Sequence, residues 1–188
     1  MTRDRTNFHF ILYICRMESI RRHTAAFTGH RRYDKSHDEM LRESIATLYA
    51  DGYRIFLSGM AIGFDMAAAE AVLDFREQHD DVELYCIIPF EGQEQRFSQE
   101  QQARFREICS RATKIITLEP DYKPWAYTQR NNYLVRHAAA LVCYYTGESG
   151  GTQYTVRAAA RLGLKITNIC PSADKKAPDQ SDFGWLFR

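Results

Sequence analysis

From Thr24 onward the chain alternates between short apolar runs and longer stretches in which apolar positions recur every three or four residues. The short runs, at 24–28, 54–58, 83–88, 114–118, 139–145 and 165–170, are rich in β-branched and aromatic residues and predict strands. The longer stretches, at about 37–51, 62–79, 95–111, 126–138 and 152–163, predict helices. The second of these is the best defined, because Met66, Ala67, Ala69, Ala71, Val72, Leu73 and Phe75 form a long helix-favouring apolar face. Strand–helix alternation of this kind builds βαβ units and a mostly parallel sheet. Runs such as Tyr85-Cys86-Ile87-Ile88 and Ala140-Leu141-Val142-Cys143 are apolar at consecutive positions, so helices must cover both faces of their strands. The predicted fold is a three-layer α/β/α, Rossmann-like, doubly wound domain around a mostly parallel sheet of about six strands.

The 188 residues fit one such domain. Its elements fall within residues 23–171, leaving an N-terminal extension, 1–22, and a C-terminal tail, 172–188. Arg3 and Arg5 ahead of the apolar residues 8–15 imitate a signal peptide, but the run is short and no small-residue cleavage site follows it. Met17 offers a second start just before the first strand, which reads residues 1–16 as an upstream extension; an edge strand or an arm is the alternative. The tail has the Pro, Asp, Lys and Ser content of a loose segment, then closes on Phe183-Gly184-Trp185-Leu186-Phe187, which is expected to dock on its own domain or to meet a partner.

Composition narrows the function without naming it. Lys and Arg total 25 against 24 Asp and Glu, a net charge of +1, which argues against nucleic acid and membrane surfaces as partners and leaves any bound anion to be met locally. The five cysteines are scattered without ligand spacing and read as reduced side chains in a reducing, cytoplasmic compartment. No apolar run is long enough to span a bilayer, and His30 and His37 have no partners at metal-ligand spacing, so neither a metal nor a cofactor is assigned. A homodimer is the default assembly, on general grounds alone.

The candidate chemistry lies in the loops that follow the strands, because ligands of open parallel sheets bind beyond the strands' carboxyl ends. These are Thr28-Gly29-His30-Arg31-Arg32, Ser58 to Asp65, Pro89-Phe90-Glu91-Gly92, and Thr146 to Thr152. Seven of the ten glycines fall in them, which fits either tight strand-to-helix turns or backbone brought close to a ligand at a helix N-terminus, where phosphate is the natural guest. Gly150-Gly151-Thr152 is the strongest candidate, with the Thr152 hydroxyl as a further donor or a cap. Arg31 could pair with a phosphate or sit as a solvated charge. Arg130 and Asn131, near the start of a helix, could meet an anionic oxygen and a ribose or base edge, or cap their own backbone. Asp65 could cap its helix, accept from ligand hydroxyls, or hold Arg31.

In chain order, Phe27-Thr28-Gly29-His30-Arg31, Ser58-Gly59-Met60-Ala61-Ile62-Gly63-Phe64-Asp65, Pro89-Phe90 with Gln93 and Phe97, Arg130-Asn131 with Leu134-Val135, and Gly150-Gly151-Thr152 resemble the YpsA-like family of the SLOG superfamily. The resemblance runs from about Thr24 to Cys170. It implies the Rossmann-like fold shared with the molybdenum-cofactor carrier protein, the cytokinin-activating phosphoribohydrolases and the DNA-processing protein DprA. It also implies binding or sensing of a nucleotide or a nucleotide-derived molecule such as ADP-ribose or an NAD-like compound. Carried over by position, it places Thr28, Gly29, Arg31, Ser58, Gly59, Asp65, Arg130, Asn131, Gly150, Gly151 and Thr152 around that ligand.

One position departs from the phosphoribohydrolase branch, which carries an acid–base glutamate three residues after the threonine of its glycine motif. Here that position is Thr155, which has no carboxylate, and Glu70 and Glu148 are the substitutes to consider. A ligand-binding or sensing module is thus the leading reading. Hydrolysis of the N-glycosidic bond of a nucleoside monophosphate is the alternative, and DprA-like binding of single-stranded DNA the third.

Overall fold

The computed structural model describes residue 15 and residues 17–170. Residues 17–22 are helical and lead into β1 (Thr24–Gly29), where the Thr24 hydroxyl donates back to the Ile20 carbonyl. The strands that follow are β2 (Ile55–Ser58), β3 (Glu83–Ile88), β4 (Lys114–Thr117), β5 (Ala140–Tyr144) and β6 (Lys165–Asn168). Between them run α1 (Asp38–Ala50), α2 (Phe64–Arg76), α3 (Gln99–Arg111), α4 (Ala126–Arg136) and α5 (Gly151–Arg161).

Every pairing in the sheet is parallel and the strand order is β4-β3-β2-β1-β5-β6. The chain winds outward from β1 through β2 and β3 to β4, then returns to place β5 on the other side of β1. That reversal puts the topological switch point between β1 and β5, the position where an open parallel sheet splits to admit a ligand. Ala25 to Gly29 pair in register with Ala140 to Tyr144 there.

Helices α1, α2 and α3 enclose the larger apolar core, around Phe27, Ile45, Phe56, Phe64, Leu73 and Ile108. Helices α4 and α5 cover the opposite face with Leu134, Val135, Val156 and Ala159 against Leu57, Ile87, Leu141 and Cys143. Inward and outward side chains of β1 divide accordingly, Phe27 into one core and Ala26 into the other, both fully buried. This is the predicted three-layer architecture, with all six strands parallel.

The largest shift in an element's start is at α3, which begins at Gln99 instead of 95. Ser98 and Gln101 form a capping box, the Ser98 hydroxyl accepting from the Gln101 amide and the Gln101 side chain accepting from the Ser98 amide. The preceding residues Gln93–Arg96 form a separate short 3-10 turn. Among the described residues no helix is long and apolar enough to cross a membrane.

Candidate functional site

A cleft of about 360 Å³ opens at the switch point, lined by Thr28, Gly29, His30 and Arg31 after β1, Ala61 and Asp65 around the start of α2, Tyr127, Arg130 and Asn131 on α4, and Gly151 and Thr152 at the start of α5. Loops separated by more than a hundred residues therefore share one rim. The reason is topological: the C-terminal ends of β1 and β5 are neighbours, so whatever follows either strand arrives at the same place.

The rim that α5 contributes leaves its first turn without a side-chain cap, a geometry that can receive an anion. Gly150, the residue ahead of the helix, has φ 145° and ψ −163°, a conformation that side chains disfavour, and a β-carbon there would meet nothing within 4 Å, so the demand is conformational. No side chain caps the first turn. Thr152 is buried, makes no capping bond and lines the cleft instead. The first amides of α5 thus stand beside the cleft with the positive end of the helix dipole. Arg31 lines the same cleft, is exposed, and forms no ion pair among the described residues.

Below the rim lies a buried latch. Arg130 Nη1 donates to the Gly59 carbonyl at 2.6 Å and to Asp65 Oδ2 at 3.1 Å, while Asp65 Oδ1 accepts from the Gly29 amide at 3.2 Å. Asp65 therefore holds Arg130 and not Arg31, the partner that the sequence alone suggests, because Arg31 points from an exposed loop and Arg130 enters from α4 against the floor. Burial pushes the Asp65 carboxyl above its ordinary value, against the pull of Arg130 and of the Ala61 and Gly29 amides. Burial likewise pushes the Arg130 guanidinium down, against the attraction of Asp65. Both shifts have one cause: the two charges offset each other's lost hydration only in part. Arg130 Nε is buried with no hydrogen-bond partner.

Two glycines that the sequence assigned to ligand contact are also required by packing, Gly59 by the latch and Gly29 by Phe64. A β-carbon at Gly59 would lie 2.0 Å from Arg130 Nη1, and one at Gly29 would lie 2.5 Å from the Phe64 side chain. Gly59 is glycine so that a guanidinium can pass, and it does not line the cleft. Ser58 is also beneath the surface: its hydroxyl donates to the Asp65 carbonyl at 2.8 Å and accepts from the Met60 amide at 3.2 Å. These bonds hold Met60 at φ 54°, an uncommon conformation for a side chain of its size, and the tight turn aims the Gly59 carbonyl at α4.

Arg130 and Asn131 sit in the second turn of α4, not at its start, so neither caps the helix. The Asn131 side-chain amide lies 3.5 Å from the Gly151 carbonyl, bracing α4 against α5. Gly150 shapes the entry to α5 without lining the cleft, and the loop after β3 also stays out of it. Two strands separate β3 from β5, and the loop works from underneath, Gln93 donating to the Met60 carbonyl at 3.3 Å. His30 and Tyr127 line the cleft and were not among the predicted site residues. His30 Nε2 accepts from the Thr146 amide at 3.1 Å, tying the β1 loop to the β5 loop. Tyr127 lies one turn before Arg130 and Asn131 on the same face of α4, and that helical spacing is the signal that would have found it.

The carboxylates offered as substitutes for the missing glutamate lie elsewhere. Glu70 is held by Arg104 through two bonds of 2.5 and 2.6 Å, and Glu148 is exposed and outside the cleft. Thr155 is fully buried and turns its hydroxyl back onto the Gly151 carbonyl at 2.8 Å.

A doubly wound parallel sheet with a cleft at its switch point defines a Rossmann-like α/β protein. Within that class the chain belongs to the YspA SLOG family, whose YpsA profile it matches over residues 26–168. It is similar to the SPbeta prophage-derived protein YoqJ of Bacillus subtilis, 25% identical over 130 residues that cover 62% of this chain and 76% of that one. A UPF0398 protein of Bacillus velezensis is 26% identical over 136 residues, 69% of this chain and 74% of that one.

Among solved structures, the chain resembles DNA processing protein A of Helicobacter pylori, a protein described for its single-stranded DNA binding mode. The TM-score is 0.57 at 16% identity, covering 80% of this chain and 66% of that one. The corresponding protein of Streptococcus pneumoniae gives a TM-score of 0.59 at 17% identity, covering 82% of this chain and 54% of that one. The chain thus spans two thirds or less of those proteins, and at these identities the likeness is one of fold.

Proposed function

We propose that the protein binds a nucleotide or nucleotide-derived small molecule in the β1/β5 cleft, with its phosphate on the first amides of α5 and on Arg31. The observation that carries this reading is the uncapped N-terminus of α5 sharing a cleft with an unpaired arginine at the switch point. Tyr127 offers a ring against which a base can stack, and Asn131 an amide for a ribose or base edge. A volume of about 360 Å³ suits a mononucleotide, or one half of an ADP-ribose or NAD-like molecule, better than a whole dinucleotide. Its five free cysteines fit a reducing, cytoplasmic setting.

Binding, and not hydrolysis, is the role the side chains support. Cleaving an N-glycosidic bond calls for a carboxylate that can exchange a proton beside the sugar. Asp65, the carboxylate that lines the cleft, uses one oxygen on Gly29 and the other on Arg130. Thermal denaturation with inorganic phosphate, AMP, ADP-ribose and NAD tests the reading: a nucleotide at a hundredfold excess over its dissociation constant stabilises by about 2.7 kcal/mol. If no nucleotide raises the melting temperature, the reading fails.

A second reading, single-stranded DNA, rests on a different observation. Tyr127 packs edge-on against Phe90, Phe90 against Tyr122, and the Arg96 guanidinium lies 5.0 Å from the Tyr122 ring centroid. Phe90 is buried, so the exposed Tyr122 with Arg96 beside it is the face on which a base of a single strand can stack. An oligothymidylate that binds with a steep salt dependence, and loses that binding in Tyr122→Ala, supports this reading. Tight mononucleotide binding without oligonucleotide binding excludes it.

A further inference from the structure

On the outer flank of α4, away from the β1/β5 cleft, lies a second groove of about 340 Å³, which includes Leu118, Trp125, Gln129, Tyr133, Arg136 and His137. Trp125 is 58% exposed, an unusual state for the largest apolar side chain. The Oε1 atom of Gln129 is buried without a hydrogen-bond donor. The helical layer on this face is also unlike the other: α1, α2 and α3 all carry carboxylates, whereas α4 and α5 have none. Arg136, the arginine that lines the groove, is exposed and forms no ion pair among the described residues. A groove lined by aromatic and polar side chains, with an unpaired arginine among them, suits an aromatic occupant that carries a carboxylate.

We propose that this groove receives the chain's own C-terminal segment, residues 182–187, with Phe183 and Trp185 against Trp125 and Tyr133. The sequence of that segment has the required chemistry: within residues 177–187 Asp179 and Asp182 precede Phe183-Gly184-Trp185-Leu186-Phe187 without a basic residue, Lys175, Lys176 and Arg188 lying outside that stretch. The N-terminal residues 1–16 are apolar too, but carry Arg3, Arg5 and Arg16 against the single carboxylate of Asp4, the wrong sign for a groove lined by Arg136.

Reach is sufficient. Described structure ends just after β6, at the same end of the sheet as Leu118 and Trp125. Five strand spacings from β6 to β4 amount to about 24 Å, and residues 171–182, if extended, span up to about 40 Å. Docked in this way, the segment covers the exposed Trp125.

The test uses the full chain with Trp125→Phe, which leaves Trp185 as the sole indole. Trp185 is expected to emit at blue-shifted wavelength and to resist acrylamide quenching severalfold more than in denaturant. Arg136→Glu, at an exposed position, is expected to abolish that protection with the circular dichroism unchanged. A photo-crosslinker at position 185 is expected to label Leu118 or residues 125–137 within a single chain. The proposal is overturned if Trp185 is quenched as freely as in denaturant, if Arg136→Glu leaves its protection intact, or if the crosslink joins two chains or maps outside Leu118 and residues 125–137.

Discussion

Arg130 Nη1 lies 3.1 Å from Asp65 Oδ2, with side-chain exposures of 8% and 4%, so the floor of the cleft is a buried ion pair. It ties α4 to the start of α2 and, through the Gly29 amide and the Gly59 carbonyl, to the ends of β1 and β2. A binding surface assembled from loops needs such a fixed base, because amides and a guanidinium select an anion only when they cannot drift apart.

Breaking the pair from one side leaves a buried charge alone. Asp65→Asn or Arg130→Met is expected to destabilise by about 3–5 kcal/mol in urea denaturation. The double variant is expected to lose clearly less than the sum, since the substituted amide at position 65 keeps an acceptor for the Gly29 amide and no charge remains. Strict additivity would show that the two side chains do not interact.

The same pair sets a pH dependence. In Arg130→Met the Asp65 carboxyl loses the partner that pulls it down, and its native value rises further above the unfolded one. A raised native value means stability from this group is complete below the unfolded value and is lost as pH rises through the native one. Arg130→Met is therefore expected to show a smaller deficit against the wild type at about pH 5 than at about pH 8. An equal deficit at both would place the carboxyl outside the low-dielectric floor.

Gly59→Ala pushes a β-carbon into the space of Arg130 Nη1, 2.0 Å away. The expected loss is about 1–3 kcal/mol or more, together with weaker nucleotide binding. At Gly147, where φ is 96° and a β-carbon meets nothing within 4 Å, alanine is expected to cost about 1 kcal/mol and to leave binding intact. Melting curves and titrations of both variants check the contrast.

Arg31→Ala separates binding from folding. Its exposed side chain makes no ion pair among the described residues, so stability is expected to change by less than about 0.5 kcal/mol. Loss of a charge-assisted bond to phosphate is worth about 1.5–3 kcal/mol, a tenfold or greater fall in AMP affinity by titration calorimetry. Unchanged affinity would move the phosphate away from this rim.

Tyr127 divides the ligand into parts. Tyr127→Ala is expected to weaken AMP by about 1–3 kcal/mol while leaving inorganic phosphate unaffected, and Tyr127→Phe to preserve both. Equal losses for AMP and phosphate would make Tyr127 a support for the α5 rim and not a base platform.

The order of strands and helices was legible because burial writes its period locally: consecutive apolar runs such as Tyr85 to Ile88 announce a strand covered on both faces, and Ser98 with Gln101 marks a helix start within four residues. The loops that could carry chemistry were legible for the same reason, as glycine-rich ends of those runs. What each glycine is for was not. Gly150 answers to its own backbone, while Gly59 answers to Arg130, 71 positions away, and only the placement of β5 beside β1 brings such residues together. A single sequence fixes which stretches fold and which face they bury. Which distant side chains share a floor, and so which polar residues stay free to meet a ligand, is decided by strand order and long-range packing.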